Sequence, residues 1–176
     1  MTPEFARPVR IDTIGEGERI VEIAADAEEC RRLAGRFGLL AVDALRGRFA
    51  VRKDGAAILA TGTVAATVTQ ACSVTGDPLP AQVDEAVALR FVDDLVAGDD
   101  EVELSDDALD TLPIEGGTID LGEAAAETMA LALDPFPRSP RAQDVLRAAG
   151  VVSEDEAAVG PFGALAGLKA KLGGGS

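Results

Sequence analysis

A change of hydrophobic period at Leu39 constrains the fold of this chain more than any other feature. Before it, apolar residues recur about every 3.6 positions. After it they alternate with period 2 through three long runs, which is the mark of strands with one buried face. Lys53-Asp54-Gly55 is a hairpin turn between the first two runs. The first run carries Leu45, Phe49 and Val51 on one side and Arg46, Arg48 and Arg52 on the other. The second runs from Ala57 to Cys72, with Ile58, Val64 and Val68 in one register and Thr61, Thr63, Thr67 and Thr69 in the other. After a loop over residues 73–80, the third places Ala81, Val83, Val87, Leu89 and Phe91 opposite Gln82, Asp84 and Arg90. Sequential strands joined this way form an antiparallel meander. One buried face calls for helices to cover it, so the fold class is α+β, an antiparallel β-sheet with flanking helices packed on one face.

Two helices supply that cover. Asp26 followed by Glu29 is a capping box, and Gly38 ends the first helix. Between them Ala27, Cys30, Leu33, Ala34 and Phe37 form an apolar stripe, with Glu28, Arg31, Arg32 and Arg36 on the other face. Asp120 and Glu123 repeat the box before a second helix, whose stripe is Leu121, Ala124, Ala125, Thr128, Met129, Ala132 and Leu133 and whose stop is Pro135 and Pro137. Ahead of the first helix, prolines 3 and 8 extend residues 4–12, and Gly15 and Gly17 turn the chain into a strand over residues 18–24. Residues 92–112 read as an acidic linker or loop. The organisation expected is one domain over residues 1–140 and a partly ordered tail over 141–176, in which Phe162, Leu165, Leu168 and Leu172 sit at helical intervals.

Composition narrows the chemistry. The chain has 176 residues, 31 acidic and 16 basic, and no histidine, for a formal charge of -15. Without imidazole there is no Ser-His or Cys-His nucleophilic pair and no histidine metal site. The acidity is unevenly spread: residues 1–83 hold 11 acids and 10 bases, residues 84–156 hold 20 acids and 4 bases, and the last twenty hold only two lysines. The six aromatic residues are all phenylalanine, which leaves no Tyr or Trp platform for stacked bases. No stretch reaches the roughly 18 apolar residues of a membrane span, and the first ten residues lack the apolar core of a secretion signal, so the expectation is a cytoplasmic protein with Cys30 and Cys72 as free thiols.

Binding fits this inventory better than catalysis. Cys72 has no histidine to activate it, with Arg90 the nearest candidate by strand pairing, and it reads as a small apolar residue at a strand end. A zinc knuckle would need a second thiolate where Thr75 stands. The candidate RNA contacts are Arg31, Arg32 and Arg36 on the first helix and Arg46, Arg48 and Arg52 on the strand, since arginines in ordered rows meet phosphates bidentately. Internal pairing with Glu28, Glu29, Asp43 and the acidic block is the competing use of the same side chains.

The run ACSVTGDPLPAQVDEAVALRFVDD, followed after an acidic gap by IEGGTIDLGEAAAETMALALDPFPRSP, resembles the YceD family of large ribosomal RNA subunit accumulation proteins. The positions that carry the likeness are Cys72, Pro78, Leu79, Glu85, Leu89, Arg90, Phe91, Ile119, Asp120, Leu121, Glu127, Leu131, Leu133, Pro135 and Pro137, roughly within residues 50–140, and the terminal PFGALAGLK resembles the closing segment of many members. The resemblance implies a factor without established enzyme activity in 23S rRNA synthesis or accumulation and large-subunit biogenesis. It implies no cofactor. Its partners would be ribosomal RNA or its precursor, a basic large-subunit ribosomal protein, or both, with no membrane and no DNA. The alternative is an acidic module that chaperones or docks a basic ribosomal protein without contacting RNA. Many members carry a second cysteine shortly after the first, where this chain has Thr75, and that departure argues against a metal.

Overall fold

The computed structural model describes residues 3–93 and 110–151. Most of the acidic linker expected over 92–112, and the helical spacing expected from Phe162 to Leu172, lie outside the described residues. The chain divides into two compact units, the first comprising Met1–Ala71 and Pro78–Pro137 and the second Cys72–Asp77 and Arg138–Ser176.

The first unit contains β1 (Pro8–Arg10), a 3-10 turn (Ile11–Thr13), β2 (Arg19–Ala24), α1 (Ala27–Phe37), β3 (Ala41–Asp54), β4 (Ala57–Ala71), β5 (Pro78–Val92), β6 (Asp110–Pro113), β7 (Thr118–Asp120) and α2 (Leu121–Ala132). Five strands form one sheet in the order β2-β3-β4-β5-β6, and β1 pairs with β7 separately. The hairpin β3-β4 closes at Asp54↔Ala57, and β4 pairs with β5 along its length, from Ile58↔Phe91 to Ala71↔Pro78. The sheet is antiparallel except at one edge, where β6 runs parallel to β5 from Leu89↔Asp110 to Val92↔Pro113. Residues 110–112, read as the end of the acidic linker, are therefore strand: Leu112 packs on the core and the Ile114 amide donates to the Val92 carbonyl.

α1 forms where its caps allow. The Asp26 carboxylate accepts from the amides of Glu28 and Glu29, and the Glu29 side chain accepts from the Asp26 amide. Gly38, at φ 64°, takes the left-handed conformation that ends the helix at low cost. In α2 the Asp120 carboxylate caps Gly122 and Glu123, but the expected reciprocal half is not made, because both Glu123 carboxylate oxygens are held by Arg36. Both helices lie on the sheet face that carries Leu45, Phe49, Val51, Ile58, Val64, Val68, Val83, Leu89 and Phe91; Cys30 and Leu33 of α1 and Leu121, Ala125 and Met129 of α2 complete this core. Gly62 faces Phe49 across the hairpin, and a Cβ there would stand 1.9 Å from the Arg48 carbonyl oxygen, so the strands close only around glycine. No helix among the described residues is long and apolar enough to cross a membrane.

The described residues of the second unit hold a turn and a short helix. Cys72 accepts from the Gly76 amide and donates its own to the Asp77 carbonyl, and α3 spans Ala142–Ala148. Both cysteines are buried free thiols.

Candidate nucleic-acid interface

Alternation sends every second residue of the sheet to the face that the helices do not cover. On β3 these are Ala44, Arg46, Arg48, Ala50 and Arg52; their partners on β4 are Thr67, Ala65, Thr63, Thr61 and Leu59. On β5 the rows continue with Gln82, Asp84, Ala86, Ala88 and Arg90, and on β2 with Ala24, Glu22 and Ile20. Arg46, Arg48, Arg52 and Arg90 are all exposed. Against these four arginines the face sets three carboxylates, Glu22, Asp54 and Asp84, so it is positive by one charge on a chain whose net charge is -15.

The side chains between the arginines are small. Ala24, Gly47, Thr63 and Ala65 floor a shallow depression of about 380 Å³ between Arg46 and Arg48. Arg48 Nε lies 3.3 Å from Glu22 Oε1 and Arg52 Nη1 lies 3.6 Å from Asp54 Oδ1, both pairs well exposed. Such pairs are worth ~0–1 kcal/mol and yield readily to a phosphate. Arg46 and Arg90 make no ion pair with a described residue.

The helix arginines are placed differently. α1 packs on the core face, so Arg31, Arg32 and Arg36 lie on the other side of the sheet from Arg46, Arg48 and Arg52, and the two rows do not form one surface. Arg31 pairs with Glu28 within the helix. Arg36 joins Glu123 at 2.5 Å and Glu4 at 3.1 Å, and its guanidinium is held more firmly protonated by the hydrogen bond to Glu123, against the opposing effect of burial. Arg36 therefore clamps the amino-terminal segment and α2 to α1. Only Arg32 keeps an exposed guanidinium without an ion pair to a described residue on that helix.

Cys72 heads a second cluster, inside the second unit. Its Sγ accepts from the backbone amides of Thr75 at 3.4 Å and Ser139 at 3.2 Å. Burial pushes the thiol up, but hydrogen bonds from Thr75, Ser139 and the Val74 backbone outweigh it and bring the thiol down to about 6. Thr75 Oγ1 donates to Asp77 Oδ2 at 2.7 Å, and Arg141 Nη2 binds Asp77 Oδ1 at 2.5 Å. Thr75 thus supplies an amide donor to the sulfur where a knuckle would place a second thiolate. No group of three or more His, Cys, Asp or Glu side chains among the described residues could hold a metal ion. The strand-end position of Cys72 is as expected; its donors from residue 139 join positions 67 apart, which no local spacing could reveal.

The remaining positions of the resemblance divide by role. Phe91 and Leu121 are core, Asp120 is the α2 cap, Leu79 is half-buried, and Pro78 and Glu127 are exposed. Arg90 belongs to the open face.

A family model described as large ribosomal RNA subunit accumulation protein YceD matches residues 60–169. That is well over half the chain. The chain belongs to the YceD family. The match takes in most of β4, then β5, β6, β7, α2 and the whole cluster around Cys72, whereas β3 and its three arginines precede it. The description ties this YceD protein to accumulation of large-subunit ribosomal RNA. No curated protein and no solved structure matches the chain.

Proposed function

We propose that this YceD protein is a non-enzymatic factor in 23S rRNA accumulation and large-subunit biogenesis, and that it touches RNA through the open sheet face. The observation that carries the reading is the positive charge of that face: four arginines and three acids on a flat floor of alanine and threonine, in a protein that is otherwise strongly acidic. A chain with net charge -15 meets a phosphate backbone only where its own field is locally reversed. The arginines on β3 position the backbone, and the acidic remainder repels RNA that approaches in any other orientation. Arg36, held between Glu123 and Glu4, serves the fold, and Arg31, in an exposed pair with Glu28, and Arg32 are peripheral contacts.

The test is recovery of RNA with a tagged full-length chain, alongside an Arg46→Glu, Arg48→Glu, Arg52→Glu variant. The parent is expected to retain large-subunit precursor RNA, and the variant to lose it with a flatter salt dependence. Equal recovery by both at several salt concentrations overturns the reading. If the parent instead recovers a basic ribosomal protein free of RNA, and loses it on deletion of residues 93–110, the acidic block is the working surface.

A further inference from the structure

The open face has a pattern finer than its net charge. Arg46 and Arg48 stand near the middle of β3, about 7 Å apart. Arg52 lies four residues beyond Arg48, about 14 Å along the strand, and Arg90 is two strands away from it across Leu59, about 10 Å. Between the two arginine pairs runs the row Ala50, Thr61 and Ala88, flanked by Thr63 and Ala86. The surface therefore reads as two guanidinium pairs on either side of a low floor that carries two threonine hydroxyls.

Single-stranded RNA does not suit this floor. Its binding is driven by bases stacked on aromatic rings, at about 1–3 kcal/mol per base. Phe5, Phe49 and Phe91 are buried, Phe37 packs on the core, Phe136 follows α2, and no residue of the open face is aromatic. An A-form duplex asks for something else. Its minor groove is wide and shallow, is lined by 2′-hydroxyls and is bordered by two phosphate strands, and proteins read it by shape. Small side chains let such a cylinder approach, arginines on both sides meet the bordering phosphates, and Thr61 and Thr63 reach the 2′-hydroxyls. We infer that the open sheet face takes the minor groove of double-stranded RNA, with Arg46 and Arg48 on one phosphate strand, Arg52 and Arg90 on the other, and the Thr61 and Thr63 hydroxyls between them. This rests on the RNA-binding reading above and names the form of RNA it concerns.

The experiment uses the full chain with a short RNA duplex, one of its strands alone, and a DNA duplex of the same sequence, titrated at several salt concentrations. The RNA duplex is expected to bind at least about tenfold tighter than either competitor. Thr61→Val with Thr63→Val should remove the preference for RNA over DNA duplex while leaving the weaker DNA affinity in place. Arg46→Glu or Arg90→Glu should each weaken the RNA duplex and reduce the salt slope by about one, with unchanged thermal melting as the control for folding. If the single strand binds as tightly as the duplex and the arginine variants still weaken it, the duplex inference falls and the RNA reading stands. If no arginine reversal affects any of the three nucleic acids, the RNA reading falls with it.

Discussion

Arg7 grips Glu29 with both ends of its guanidinium, Nη1 to Oε1 at 2.7 Å and Nη2 to Oε2 at 2.8 Å. Glu29 also accepts from the Asp26 amide at 2.8 Å, so one carboxylate completes the α1 capping box and anchors the amino-terminal segment. The Arg7 amide in turn donates to the Asp120 carboxylate that caps α2. Glu29→Ala is expected to lose the reciprocal cap and two charge-assisted hydrogen bonds, at about 2–3 kcal/mol. The urea midpoint should fall without a change of slope. In a double-mutant cycle, Arg7→Ala should cost much less once Glu29 is gone; additive losses would mean that the two side chains act separately.

Asp77 titrates low for a nameable reason. The hydrogen bond from Arg141, helped by Thr75, holds its carboxyl at about 2, below the usual 3.8. A carboxylate with a depressed folded value contributes stability above its ordinary pKa, and that contribution is lost as pH falls toward about 2. Arg141→Ala should return the Asp77 titration, followed by carboxyl NMR, toward 3.8. The variant should be less stable than the parent at neutral pH, with the difference closing in acid. An unmoved Asp77 midpoint would show that Thr75 alone sets it.

The two thiols should separate on titration. Cys30 is pushed up by burial, with Asp26 and Glu29 adding to the effect, and stays protonated through neutral pH. Cys72 is brought down from 9.0 to about 6. Thiolate absorbance is expected to show one buried group ionising near 6. Because the folded value is the lower one, the stabilisation is complete above about 9 and disappears as pH falls through about 6. Cys72→Ser should therefore cost more stability at pH 8 than at pH 5, and Ser139→Pro, which removes an amide donor, should raise the midpoint.

Gly122 sits where the amino-terminal segment crosses α2. A Cβ there would lie 2.1 Å from the Phe5 carbonyl oxygen, a backbone atom that cannot swing away. Gly122→Ala is expected to cost about 1–3 kcal/mol despite its better helix propensity. Hydrogen exchange should rise first at residues 5–10, whereas loss of protection in β4 and β5 would mean that the substitution acts on the sheet instead.

The meander and the first helix were legible because their signals are local. Alternation at Arg46, Arg48 and Arg52 and the box at Asp26 and Glu29 specify neighbouring backbone and the structure follows them, and the turn read at Lys53-Asp54-Gly55 lies at Gly55 and Ala56, with Lys53 and Asp54 still paired in β3. β6 was hidden because four residues, Asp110–Pro113, are too few to show a period and follow a charged run whose composition signals a loop. The fate of Glu123 was hidden as well: its spacing from Asp120 fits a capping box, but Arg36, 87 positions away, supplies a charged donor that outcompetes a backbone amide. The same tertiary pairing removes Arg36 from the set of available cations, while Arg90 joins that set only once the β4-β5 register is known. Spacing shows which side chains share a face of their own element; it does not show what arrives from elsewhere in the chain.

β1 pairs with β7, so Pro8 lies beside Asp120 and the Arg7 amide finds its acceptor 113 residues downstream. During synthesis β1 is made well before its partner and waits for β7. α1 and the β3-β4 hairpin close over short stretches of chain and have no such delay. Until residue 120 has emerged, the amino-terminal segment lacks its sheet partner and the Phe5 side of the core has no α2 to meet. The segment that carries β1 is thus placed late, as a latch drawn across a unit whose other pieces have already met.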